Sequence, residues 1–346
     1  MSALSNILTI ARYESKVVWR NWFFRIVSLA GIGFVFIFNL AVFSEVDTPR
    51  RFELSNGWMM PYATMAMISI AQVAAVVFLA TGLIKKDKKL DTNEVFFARP
   101  ISNLDYVLGK ALALFNLFFW LNLVLLCIPL IINLTNPNTT FNPLAFVVYP
   151  LLISLPTVVF CTGIAFLFVT ILRNQPITIV LLLGLSAVEL IYYFDRFSYI
   201  FDFMAFRLPM FASEMTGFAH LDLALWQRSF YLVAGVAFLF LTAFFLDRLA
   251  SHKTTKLVTG FIGVLLVGVA SFIMVHLLDL RQTPIALRQD MIAVNGQWAE
   301  VPNIDIVTHR IQLEQVENRL VSSSTLTVKN NHGEPLTGLY FTLNPG

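Results

Sequence analysis

PYATMAMISIAQVAAVVFLATGLIKKDKK, residues 61–89, has no charged side chain from Pro61 to Ile84 and then four lysines within five positions. An apolar run of that length matches the roughly 17–25 residues needed to cross about 30 Å of hydrocarbon as a helix. A helix satisfies its own backbone hydrogen bonds where water is absent. The lysines mark where the chain returns to water, on the side of the membrane that retains positive charge. The first reading is therefore a transmembrane helix ending in a basic cytoplasmic loop.

Working outward, comparable apolar runs occupy residues 22–43, 107–134, 144–172, 176–194, 230–246 and 257–278. Pro150 and Pro156 predict a kink in the fourth run, because each removes a backbone donor. The composition agrees: 57% of residues are hydrophobic and 13% charged, where soluble domains carry about 25% charged residues. The net charge of +3 is too small and too dispersed to bind nucleic acid. The expected fold class is an all-α polytopic membrane protein, with about six to seven transmembrane helices and a short C-terminal antiparallel β segment. Residues 1–21 are expected to form an interfacial helix, 22–279 the transmembrane domain and 280–346 an extracytoplasmic β segment. Cys127 and Cys161 lie inside apolar runs and read as small hydrophobes, not metal ligands or a disulfide.

Placing the N-terminus in the cytoplasm puts Lys16, Lys85, Lys86, Lys88, Lys89, Lys110, Lys253 and Lys256 all inside. No loop assigned to the outside before the tail contains a lysine. Arg50, Arg51, Arg196 and Arg207 fall outside, together with Asp195 and Asp202. With seven spans the tail is extracytoplasmic.

In the first twenty residues Leu4, Ile7, Leu8, Ala11 and Val18 recur at helical spacing, while Arg12, Lys16 and Arg20 repeat every fourth position and form one basic ridge. Two readings fit: an interfacial helix lying against anionic lipid, or a positive flank that sets topology.

Residues 85–110, KKDKKLDTNEVFFARPISNLDYVLGK, are the most informative loop. Asp91 or Thr92 can cap a short helix through Phe97, Pro100 stops it, and Ser102 or Asn103 can cap the next span. Phe96 and Phe97 offer apolar surface flanked by Glu94 and Arg99, the make-up of a docking knob. A loop whose phenylalanines dip into the membrane interface fits equally.

The order of parts, an amphipathic N-terminal helix, two spans and a loop reading E-x-x-x-x-R-P-I-S-x-x-x-Y-x-x-G-K, resembles the permease subunit of ABC-2-type transporters. Glu94, Arg99, Pro100, Ile101, Ser102, Tyr106, Gly109 and Lys110 carry the likeness, while Asn103 stands where the family often has a basic residue. The resemblance covers roughly residues 1–250. It implies a multi-pass protein of the bacterial inner membrane that works as a dimer, with a second permease copy or a homologous half. It also implies that residues 85–106 contain a coupling helix, with Thr92, Glu94, Phe96, Phe97, Arg99 and Pro100 meeting an ABC ATPase subunit. ATP and magnesium would bind that partner and no cofactor this chain: Gly109-Lys110 is followed by Ala111, so no G-x-x-x-x-G-K-[ST] loop is present. A pair of short external helices is implied within the aromatic-rich residues 195–228. The expected function is the transmembrane half of an ATP-driven exporter. The alternative is a membrane anchor for an external domain, without transport.

Polar residues within spans are candidates for a substrate path: Gln72, Asn122 and Glu189, the last being the one carboxylate well inside a run. Helix-to-helix hydrogen bonding explains the same residues without function. Buried charge is scarce on this reading, which favours amphiphilic or apolar cargo. His276 reads as an interfacial residue.

After residue 300, IDIVTHRIQLEQ, RLVSSSTLTVK and GLYFTLN alternate as strands, with a turn-rich NNHGEPLT before the last. This tail resembles the opening strands of the N-terminal domain of thermolysin-like zinc aminopeptidases, which some bacterial permeases carry as a fusion, and is read as the start of a longer domain. The chain has no H-E-x-x-H pair to hold zinc, so neither metal nor peptidase site is expected on it.

Overall fold

A computed structural model describes residues 3–43, 56–89, 101–193, 199–213, 217–246, 253–297, 304–316, 319–331, 335 and 338. Among these, helix α1 (Ala3–Trp19) precedes seven long helices: α2 (Trp22–Phe43), α3 (Met59–Lys89), α4 (Asn103–Thr135), α5 (Ala145–Leu172), α6 (Gln175–Tyr192), α7 (Leu221–Phe245) and α8 (Lys253–Gln297). All seven are long and apolar enough to cross a membrane, α8 over Lys253–Leu280. The chain is a multi-pass membrane protein in its helical part, as the hydropathy pattern requires.

Local chemistry sets the helix ends. The Ser102 hydroxyl accepts from the Asp105 amide at 3.0 Å and so caps α4. Arg173 ends α5 with φ 53, and Asn174 then accepts from Ile177 N at 3.3 Å to start α6, so a two-residue turn joins these spans. The predicted kink in α5 takes the form of a π turn, Pro150–Ser154.

The bundle packs around α3, whose apolar window is 67% buried, and α5, at 61%; α2, at 17%, faces outward along most of its length. Val76, Leu114, Phe118, Phe166 and Val169 form one core, and Trp58, Met65, Tyr149, Leu208 and Met210 a second at the far end. Between α5 and α7 the backbones touch: a methyl group at Gly163 would stand 2.3 Å from Gly235 O. Two facing glycines permit the close approach that substitutes for hydrophobic driving force inside lipid. Cys127 is exposed on the bundle surface and Cys161 buried, both free.

Two expectations are corrected. Residues 199–211 form turns and irregular backbone and Ala212–Ser213 a short strand, not short helices, and residues 221–228 are the first two turns of α7, which begins earlier than hydropathy alone places it. The segment after Asp279 does not turn to strands at once, because α8 stays helical to Gln297. The chain folds as two compact units, Met1–Glu214 with Phe218–Leu277, and Met215–Gly217 with Leu278–Gly346. In the second unit β1 (Asp305–Val316) pairs antiparallel with β2 (Arg319–Lys329), His309 facing Leu326 and Leu313 facing Ser322, with an irregularity between Ile306 and Thr308. The third expected strand, in residues 338–344, lies outside the described residues apart from Gly338.

Candidate functional site

The expected coupling residues Thr92, Glu94, Phe96, Phe97, Arg99 and Pro100 lie outside the described residues. The helices on either side are described, and a single ammonium group joins them. Lys110, fully buried on α4, donates to Glu14 Oε1 of α1 at 2.6 Å and to the Leu83 carbonyl of α3 at 3.1 Å, beneath the Tyr106 ring. Glu14 is 3% exposed, and its Oε2 has no hydrogen-bond partner among the described residues. Next to Lys110, Gly109 brings α1 into contact: a Cβ there would meet Ile10 side-chain atoms at 2.7 Å. Asn6 adds a bond to Asp105 at 3.4 Å, and Asn103 is buried with its amide on Leu246 O of the α7 end at 2.8 Å.

Helix α1 therefore presents Ala11, Glu14 and Val18 inward, while Arg12, Lys16 and Arg20 are exposed as one ridge. Leu4 and Leu8 are exposed with the ridge instead of packing inward. The sequence reading misses the buried glutamate, yet its spacing is a signal, since Glu14 falls between Ala11 and Val18 on the inward face.

In the middle of the bundle, Gln72 and Asn122 converge on one atom. The Ser154 hydroxyl lies 3.0 Å from Gln72 Nε2, 3.1 Å from its Oε1 and within hydrogen-bond reach of Asn122 Nδ2. Ser154 is the last residue of the π turn, so the break in α5 delivers the hydroxyl to α3 and α4. Gln72 and Asn122 line one cleft with Val27 and Phe34. Asn122 and Ser154 line another with Phe119 and Pro150.

Glu189 belongs to a third centre. It is 6% exposed at the end of α6, and its Oε2 has no hydrogen-bond partner among the described residues. Nearby, Asp202 accepts the amides of Phe206, Arg207 and Leu208 at 2.8–3.0 Å. Arg228 of α7, 2% exposed, donates only to neutral oxygens: Gln227 Oε1 at 2.7 Å, Asp202 O at 3.0 Å, Thr157 Oγ1 at 3.2 Å and Phe203 O at 3.3 Å. Gln227 donates to Tyr199 O and Asp202 O, both at 2.8 Å. These bonds hold Tyr199 at φ 67 and Ala205 at φ 54, a left-handed backbone that non-glycine residues adopt only when over-determined. Glu189, Leu190, Tyr199, Phe201, Asp202, Phe206 and Arg207 line a cleft that opens to the surface.

The sequence reading places Asp202 in an external loop and Arg228 just before a span, so the structure overturns the expectation that buried charge is scarce. Starting the sixth span at residue 230 hides Arg228; the clue is its position one helical turn before Tyr231 and Leu232. No group of three or more metal-ligating side chains occurs among the described residues. Comparison with protein-family models, with curated proteins and with solved structures finds no match to this chain.

Proposed function

We propose that the chain is the transmembrane subunit of an ATP-binding cassette transporter, with N-terminus and lysine-rich end in the cytoplasm of a bacterium, and that a separate subunit hydrolyses ATP. The observation that carries this reading is Lys110. One buried ammonium on α4 ties the N-terminal helix, through Glu14, and the second span, through Leu83 O, to the third span. Of those elements α3 precedes and α4 follows residues 90–100 in the sequence, so force applied there by a partner would pass to both and, through Glu14, to α1. Desolvated ion pairs and packed glycines are stiff connections, as a mechanical linkage needs. The exposed ridge of Arg12, Lys16 and Arg20 fits contact with anionic head groups along the same end. Gln72, Asn122 and Glu189 are the residues proposed to line the substrate path, and a second copy of the chain or a homologous half completes the transporter.

The test is purification of the tagged protein from membranes, with identification of its companions and assay of Mg-ATP hydrolysis. A stoichiometric ATPase with measurable turnover is expected. A folded chain that purifies with no nucleotide-binding partner would favour the membrane-anchor reading, for which the separate C-terminal unit with its two-stranded hairpin speaks.

A further inference from the structure

We propose that the cleft at Glu189 is a binding site for an organic monocation with an apolar body, such as an aryl-alkyl ammonium. Glu189 is 6% exposed, and its Oε2 is left without a hydrogen-bond partner among the described residues although it lines the cleft. Buried carboxylates in a membrane protein are otherwise paired or hydrogen-bonded, because an uncompensated charge in a low-dielectric setting is costly. Asp202, a second carboxylate beside Glu189, already accepts three backbone amides. Arg228 spends its donors on neutral oxygens of Gln227, Asp202, Thr157 and Phe203. Among the described buried residues of this centre, two carboxylates stand beside one guanidinium, and the second cation of the cleft, Arg207, is exposed at its rim.

The rest of the lining suits an organic cation better than a metal ion. Tyr199, Phe201 and Phe206 are three aromatic residues among its lining, and aromatic rings attract ammonium groups through their negative faces. A metal would need several oxygen or nitrogen ligands converging, and no cluster of three occurs among the described residues. The exposed Arg207 already covers one ring face, its guanidinium carbon 5.6 Å from the Phe206 centroid. It acts as a built-in competitor at the rim of the cleft. The site stands without the transport reading; under that reading it names the substrate class.

The test is equilibrium binding to the isolated chain in lipid nanodiscs, with neither ATP nor an ATPase present, so failure of the transport reading leaves the result interpretable. The probe is benzyltrimethylammonium, and its uncharged isostere neopentylbenzene reports partition into lipid. Saturable binding of the cation and not of the isostere is expected. Glu189→Gln should weaken cation binding at least about tenfold, Phe206→Leu should weaken it, and Arg207→Gln should strengthen it. Equal uptake of the isostere, binding untouched by Glu189→Gln, or no saturable binding to the wild-type protein would overturn the proposal. A carboxyl that titrates in that protein without cation binding would assign Glu189 to a proton, and would overturn it too.

Discussion

Lys110 and Glu14 stand 96 positions apart in the sequence, yet Nζ lies 2.6 Å from Oε1 with the two side chains 0% and 4% exposed. A pair so completely desolvated is stable only while both members are present. Removing one leaves a buried charge without compensation, at a cost of about 3–5 kcal/mol. Lys110→Met alone and Glu14→Leu alone should therefore each lower the melting temperature in detergent markedly, and the double replacement should recover most of the loss. Additive losses in the double variant would show that the two residues act independently.

The two glycine contacts predict different outcomes for the same change. At Gly109 a methyl group meets Ile10 side-chain atoms at 2.7 Å, while at Gly163 it meets the Gly235 carbonyl oxygen at 2.3 Å. The Ile10 atoms can be removed by substitution, whereas the facing backbone at Gly235 cannot yield without separating α5 from α7. Gly109→Ala should cost about 1–3 kcal/mol, and Ile10→Gly, which removes the Cβ that the methyl group meets, should recover part of the loss. Gly163→Ala should give no folded protein by size-exclusion chromatography, with or without side-chain changes around Gly235.

Ser154 is the shared partner of Gln72 and Asn122. Hydrogen bonds between membrane helices contribute about 1–2 kcal/mol at most, so Ser154→Ala should be tolerated with a small loss of thermal stability. A double-mutant cycle of Ser154→Ala with Gln72→Leu should show coupling, because both changes break the same bond. Zero coupling energy would place the two side chains apart.

The proposed orientation rests on the lysines and is tested by cysteine accessibility. In a Cys127→Ser background, Lys253→Cys should react with a membrane-impermeant maleimide only after the cells are opened, and Asn138→Cys should react in intact cells. Cys161, at 2% exposure, should stay unreacted in both. The opposite labelling pattern would invert the orientation.

The seven spans are legible because each is a long run with few charges, and that signal survives without any knowledge of neighbours. The centre at Arg228 is not legible for the same reason. Hydropathy treats arginine as a boundary marker, yet here the guanidinium satisfies the carbonyls of Asp202 and Phe203 in a segment of turns that has no periodicity of its own. The convergence of Gln72 and Asn122 depends on Ser154, a residue too common in spans to single out, placed by a π turn that the two prolines announce only as a kink. The cap at Ser102 is readable from its local pattern. The end of α8 is not, because residues 280–297 mix polar and apolar side chains without a decisive period.

The central claim is that an ATPase presses on the segment joining α3 to α4, and the most direct measurement is photo-crosslinking from Phe96. A benzoylphenylalanine placed at that position in living cells should yield one heavy adduct, identified by mass spectrometry as a chain bearing a G-x-x-x-x-G-K-[ST] loop. The same probe at Phe261, 70% exposed on the apolar part of α8, should yield none with that chain. A Phe96 probe that captures only lipid in a folded protein would contradict the account.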